Sequence, residues 1–222
     1  MPEWVFADRT DAGRVLGERV ALCHDLSDPV VVALPRGGVP VGAQVARRIG
    51  APLVAMPVSK VGAPGREELA VGAVTPGGVT VLNRDVIVAL RLGPDEVEEL
   101  VNKAAAKVSR QVELYRRVGQ QVPLSGRCVV VVDDGLATGA SMRASLVAVR
   151  ELHPRRLVLA VPVAAPEALA SLAPLVDEEV CVVRPEWMQA VGAWYKDFNQ
   201  TSDAEVAGFL AELGATQPHP AG

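Results

Sequence analysis

Apolar positions along this chain recur at two spacings, and the alternation between those spacings predicts the order of its elements. Asp8 stands as an N-cap ahead of Ala12, Val15, Leu16 and Val20, whose helical spacing predicts a helix to about Cys23. Val30–Leu34 is an unbroken apolar run, as expected of a buried strand. After PRGG, a second helix is predicted over Pro40–Ile49, with proline in its first turn and Gly50 at its end. Leu53–Val58 follows as a strand, and a strand-helix-strand unit of about thirty residues implies parallel pairing. Pro94 opens the longest helical pattern: Val97, Leu100, Val101, Ala104, Val108, Val112 and Tyr115 share a face, while Glu98, Glu99, Lys107, Arg110 and Arg117 lie elsewhere. This helix is expected to lie across the sheet. Strands over Arg127–Val132, Leu157–Val163 and Glu179–Val183 then alternate with helices over Ser141–Leu152 and Pro166–Leu172.

The pattern breaks in two places. Between Ser59 and Asn83, glycine and proline dominate, with β-like pieces at Ala70–Val74 and Val79–Leu82 around Pro-Gly-Gly. This segment reads as a flexible loop carrying a hairpin, its tip at Ala63–Leu69 mobile when no ligand is bound. After Arg184 the chain becomes irregular and aromatic, then regains helical spacing over Ser202–Leu213. No linker divides it, so residues 1–214 are expected to form one α/β domain with a doubly wound, mainly parallel sheet, and 215–222 a disordered tail.

Composition narrows the classes of function. Half of the 222 residues are hydrophobic, enough for a sizeable core, and the net charge of −4 provides no basic face for nucleic acid. Cys23, Cys128 and Cys181 are few, odd in number and set among apolar residues, and His24, His153 and His219 complete no zinc-type spacing. The charged N-terminus lacks the apolar stretch of a signal peptide, and no run reaches membrane-spanning length. A cytoplasmic protein with no membrane partner is expected.

Candidate chemistry concentrates in CVVVVDDGLATGAS, Cys128–Ser141. Ligands of an open α/β sheet sit at the carboxyl ends of its strands, where Asp133 and Asp134 are placed. The loop after them runs into a helix start, whose free N–H groups favour an anion; Gly135 and Gly139 permit close approach, and the Thr138 and Ser141 hydroxyls add donors. Ionised carboxylates only accept hydrogen bonds, so the pair suits a vicinal diol. Diol and phosphate together describe a ribose 5-phosphate. A triphosphatase loop is excluded, since the glycines are one residue too close and no lysine follows.

VVVVDDGLATGAS resembles the phosphoribosyl pyrophosphate (PRPP) signature of type I phosphoribosyltransferases, and the likeness covers approximately Val30 to Asp203, extending to uncharacterised bacterial proteins of that kind. The resemblance implies a small hood from the chain ends, about 1–25 and 184–214, with PRPP and a nucleobase-like molecule as ligands and Mg2+ as cofactor; a homodimer is allowed. It assigns the ribose hydroxyls and metal to Asp133 and Asp134, and the 5-phosphate to Gly135, Leu136, Ala137, Thr138, Gly139, Ala140 and Ser141. ALPRGGVP is similar to the family's pyrophosphate loop, which implies a non-proline cis peptide between Pro35 and Arg36, with Gly37 and Gly38 letting main-chain N–H groups point at the anion and Arg36 adding a fork of donors. Lys60 takes the place of a basic residue that reaches the pyrophosphate. In VGAWYKDF, the resemblance offers Trp194 and Tyr195 as a plane for stacking on the base and Asp197 as a further magnesium ligand.

One departure from the family limits the reading. Members that use hypoxanthine or guanine place an aspartate where this chain has Ala137, and alanine cannot move a proton. The activity implied is transfer of the phosphoribosyl group to a nitrogen nucleophile, a nucleobase, with release of pyrophosphate. A non-catalytic sensor of PRPP or nucleotide is the alternative, and a phosphatase lacks an identifiable nucleophile.

Overall fold

The computed structural model describes residues 5–215. In chain order these form helix α1 (Arg9–Val20), strand β1 (Pro29–Ala33), α2 (Gly38–Ile49), β2 (Leu53–Ala55), β3 (Ser59–Ala63), β4 (Arg66–Val74), β5 (Thr80–Leu82), α3 (Arg84–Leu90) and α4 (Pro94–Arg116). The second half continues with β6 (Cys128–Val132), α5 (Ala140–Glu151), β7 (Arg156–Val163), α6 (Pro166–Leu172), β8 (Glu178–Val183) and α7 (Asp203–Ala215). The expected tail beyond residue 215 lies outside the described residues.

Five strands pair in parallel in the order β2-β1-β6-β7-β8, and helices cover both faces. Burial on both faces explains the unbroken apolar runs: β6 is CVVVV, all of it shielded from solvent. Val31, Ala33, Val130, Val132, Val158 and Ala160 point into one layer, which α1, α2 and α7 close through Leu16, Val41, Val45, Val206 and Leu210. Val30, Val32, Val129, Val131, Leu157 and Leu159 point the other way, against Met142 and Leu146 of α5 and Leu169 and Leu172 of α6. The helix boundaries follow local chemistry. Asp8 accepts a hydrogen bond from the Asp11 N–H at 2.8 Å, and Gly50 ends α2 with φ 65°.

The region expected to be a flexible loop carrying a hairpin is a second, antiparallel sheet of order β3-β4-β5, in which β4 and β5 correspond to the two expected strand pieces and β3 is added to them. Val61, Ala63, Val71 and Val74 share one cluster, so residues read as aperiodic have an apolar side to bury. That cluster also corrects the placement of the longest helix. Leu100, Val101 and Ala104 of α4 pack on the small sheet with Val86 and Ile87 of α3, a helix the sequence pattern did not single out, and only Tyr115 reaches the main core. β2 stops at Ala55 because the next residues, Met56 and Pro57, leave the ladder; the Met56 N–H makes the last bond, to Ala33 O at 2.9 Å. Among the described residues no helix is long and apolar enough to cross a membrane.

Two helical glycines separate propensity from packing. A Cβ on Gly13 would lie 2.7 Å from Val41 O, where α1 crosses α2, whereas at Gly208 in α7 it would meet nothing within 4 Å. Gly208→Ala is expected to stabilise by about 0.5–1 kcal/mol. Gly13→Ala is expected to destabilise by about 1–3 kcal/mol, because forced helix separation outweighs the propensity gain. Thermal melts of both variants check the opposite signs; a stabilised Gly13→Ala would refute the close crossing.

Candidate functional site

Parallel register brings three loops to one edge of the main sheet. Ala33 lies opposite Val132 and Val132 opposite Ala160, so the segments that follow β1, β6 and β7 leave side by side. Leu34 N–H donates to Val132 O at 2.9 Å and Leu136 N–H to Val163 O at 2.9 Å, which ties the loop after β6 to both of its neighbours.

The loop after β1 holds the cis Pro35–Arg36 peptide expected from the sequence. Its glycines face the acidic pair: a Cβ on Gly37 would overlap Asp134 Oδ2, and one on Gly38 would lie 2.9 Å from Asp133 Cα. The structure corrects one role here. Gly38 N–H does not point at an external anion but donates to Leu34 O at 3.0 Å, so this glycine is required by the approach of Asp133. Arg36 lines a cleft with Gly37, and it forms no ion pair among the described residues.

Asp133 and Asp134 are largely shielded, and the structure places them as the sequence predicts, directly after β6. Asp133 Oδ1 accepts from the Asp134 N–H at 2.9 Å, and Asp134 Oδ2 accepts from Arg9 Nε at 2.8 Å, both side chains of this ion pair being at most 15% exposed. The Arg9 guanidinium lies 3.8 Å over the Phe198 ring and donates through Nη1 to Asn199 O at 2.6 Å. Burial, reinforced by the neighbouring Asp134 charge, holds the Asp133 carboxyl well above its ordinary pKa. Burial also raises Asp134, against the opposing pull of Arg9. Of the two, Asp133 has no ion-pair partner among the described residues.

The loop after Asp134 is anchored at Leu136, beyond which Ala137 and Thr138 are exposed. Gly139 takes φ 73° as the N-cap of α5, and the first bond closing the helix runs from Arg143 N–H to Gly139 O at 2.8 Å. The amides of Ala140, Ser141 and Met142 therefore belong to the first turn, which has no intrahelical acceptor for them. This is an anion-binding geometry beside two carboxylates. Gly135 is tightly enclosed, since a Cβ there would lie 2.6 Å from Val191 Cγ1.

Three residues from outside the β6 motif have different surroundings from those expected. Tyr195 is not an open stacking plane: it is 2% exposed, packs between Phe6 and Phe198 at 5.4 and 4.9 Å, and donates its hydroxyl to Asp134 O at 2.5 Å. The sequence shows two adjacent aromatics, and only packing decides which is swallowed. Trp194 is half-buried against the same cluster. Asp197 does not join the acidic pair; its Oδ1 accepts from Asn199 N–H at 3.0 Å, and among the described residues no three potential ligands converge on one point. A magnesium ion keeps several waters and often binds through one or two carboxylates plus ligand phosphates. Asp133 and Asp134 fit that donor set, without Asp197.

Lys60 is exposed on β3 and lines a cleft of about 580 Å³ with Lys103, Lys107 and Ser141, so the small sheet brings it beside the start of α5 and not into the cleft lining that contains Arg36. A second cleft, of about 590 Å³, joins Arg36 to Arg9, Lys107, Arg110 and Asp203. Arg9, Phe198 and the α4 cations were missed in the sequence reading. Arg9 sits 125 residues from its partner, which no spacing reveals; the α4 cations were legible as polar positions, but their direction was not.

The chain is similar to known proteins over most of its length. The phosphoribosyl transferase domain profile matches residues 11–172. Proteins from two strains of Mycobacterium tuberculosis, each named "Putative phosphoribosyl transferase", are 42% identical over 218 residues, covering 95% of this chain and 49% of their own length. The chain thus spans about half the length of these curated relatives. TT1426 of Thermus thermophilus matches with 45% identity and a TM-score of 0.80, over 94% of this chain and 99% of that one. A hypothetical protein of Neisseria gonorrhoeae, solved with bound ppGpp, shares the fold at 15% identity and a TM-score of 0.51, over 96% and 98% of the two chains.

The buried pair makes the site costly for the ligand-free protein. Because folded Asp133 holds its proton more tightly than the unfolded chain, its contribution to stability is full below the ordinary carboxylate pKa of about 3.9 and is lost as pH rises through the raised folded value. Asp133→Asn, which keeps the acceptor for the Asp134 N–H, is expected to raise the Tm of ligand-free protein at pH 7, with the gain shrinking towards pH 4. A Tm lowered at pH 7 would contradict the direction assigned to Asp133.

Proposed function

The chain belongs to the phosphoribosyl transferase domain family, and we propose that it transfers the 5-phosphoribosyl group of PRPP to a nitrogen nucleophile, a nucleobase, releasing pyrophosphate. The observation that carries this reading is the meeting, at one sheet edge, of a buried carboxylate pair, a helix-start anion loop and the Arg36 loop. In this reading the first turn of α5, with Thr138 and Ser141, holds the 5-phosphate. Asp133 and Asp134 accept from the ribose hydroxyls, with the Arg9 ion pair fixing Asp134 in direction. Asp133 and Asp134 would hold magnesium, which would supply charge neutralisation for the pyrophosphate.

The C1–O bond to pyrophosphate breaks as the C1–N bond forms, and both electrons of the C–O bond leave with the pyrophosphate. Arg36 stabilises the negative charge that develops there, where a preorganised cation is most effective, while Lys60 faces the 5-phosphate end from the cleft it shares with Ser141. With Ala137 in the loop, no carboxylate at that position takes the acceptor's proton, so a nitrogen that attacks through its lone pair and releases its proton to water suits the site. The β3–β4 hairpin, which carries Lys60 beside Ser141, excludes water from the reacting carbon.

The test is a screen of purine and pyrimidine bases for PRPP-dependent release of pyrophosphate with magnesium, beside calorimetry of PRPP alone. Tight PRPP binding with no release for any base would favour the sensor reading. Asp133→Asn and Asp134→Asn are each expected to lose about 1.5–3 kcal/mol of PRPP binding, roughly ten- to hundredfold, through missing charge-assisted hydrogen bonds. Unchanged affinity in both variants would sink the ribose assignment. The hairpin tip around Pro64 and Gly65 is expected to gain amide-exchange protection when PRPP and magnesium are added. Equal exchange in both states would make this hairpin structural.

A further inference from the structure

We infer that α4 supplies the opposing wall of the PRPP site, with Lys107 reaching both ends of the ligand, Lys103 the 5-phosphate end and Arg110 the pyrophosphate end. The inference rests on the reading of the site as one for PRPP, and it adds three residues from a helix outside the two recognised loops.

The two clefts over the sheet edge share only Val58 and Lys107 in their linings. One contains Ser141, of the loop at the start of α5, together with Lys103; the other contains Arg36 and Gly37 together with Arg110. Lys107 therefore stands where the clefts meet, facing both anion loops. Residues 103, 107 and 110 follow i, i+4, i+7 spacing and form one stripe about 10 Å long, at 1.5 Å rise per residue. Leu100, Val101, Ala104 and Val108 lie on the adjoining face, and the first three pack on the small sheet with α3, which turns the basic stripe towards the clefts.

Taken alone, this stripe disfavours the helix, because like charges at i, i+3 and i, i+4 repel. None of Lys103, Lys107 and Arg110 forms an ion pair among the described residues, although α4 carries acids elsewhere: Glu113 pairs with Arg117 at 3.4 Å, and Glu96 caps Gly93 N–H at 2.8 Å. Among the described residues the one acid lining either cleft, Asp203, accepts from the Tyr115 hydroxyl at 2.7 Å. A single exposed lysine is ordinarily just solvated. Three unpaired cations in register, facing two anion loops across a cleft, instead form a field suited to a ligand with phosphate at both ends.

The test is calorimetry on the full chain with magnesium, using PRPP, ribose 5-phosphate and inorganic pyrophosphate as separate probes. Lys107→Ala is expected to weaken all three about tenfold, Lys103→Ala to weaken ribose 5-phosphate but not pyrophosphate, and Arg110→Ala the reverse. Lys107→Arg retains binding. All three side chains are exposed, so the alanine variants are expected to melt with the wild type, which separates lost contacts from lost fold. If Lys107→Ala binds all three probes as the wild type does, the opposing wall is overturned while the PRPP reading stands. If all three variants weaken both partial ligands equally, the assignment of ends is overturned in favour of a diffuse field. Wild-type protein that binds pyrophosphate but not PRPP would overturn the reading of the site itself, and the inference with it.

Discussion

Two carboxylates buried side by side at the end of β6 are the constraint around which the rest of the site is arranged. Removing a charge from water is costly unless it is paired, and here one strand delivers two. The fold answers with a single guanidinium, that of Arg9, which approaches Asp134 from the start of α1 and is itself held by the Phe198 ring and the Asn199 carbonyl. Among the described residues Asp133 is left without a counter-ion. This residual imbalance makes the position suited to a ligand that brings hydroxyl donors, or a cation on its phosphates.

Meeting that constraint draws together parts of the chain that are distant in sequence. Phe6 pairs with Tyr195, the Lys196 and Asp197 amides donate to Phe6 and Ala7 carbonyls at 2.9 Å, and the Tyr195 hydroxyl bonds Asp134 O. The first and last parts of the described chain thus form one support for the acidic pair, and Arg9 and Thr201 from those parts also line the cleft that contains Arg36. Glycines do the equivalent work on the other side: at Gly37 and Gly38 any side chain would occupy the space of the carboxylates. Sites placed on such packed supports hold their geometry better than sites on free loops.

The inserted region between β2 and β6 has a separate logic. The small sheet cannot bury its apolar side against the main sheet, whose faces are covered by α1, α2, α5, α6 and α7, so it carries its own cover in α3 and α4. This second core gives α4 a fixed orientation. A polar face that looks unremarkable on a helical wheel then becomes one side of a cleft.

The chain's local chemistry determined the parallel α/β core, because strands buried on both faces require continuous apolar runs and the intervening helices require caps, visible as Asp8 before α1 and Gly50 after α2. It also determined the acidic pair and the helix-start loop, whose residues are contiguous from Asp133 to Ser141. The β3 strand and α3 were hidden, since alternation over three or four small apolar residues is too short a signal until a partner surface exists. Arg9 joining Asp134, Tyr195 turning inward, Asp197 staying apart, and the Gly38 N–H donating to Leu34 O were all decided by tertiary structure. Each depends on which distant segment arrives at the same point, and the period of a sequence carries the face a residue occupies but not what that face will meet.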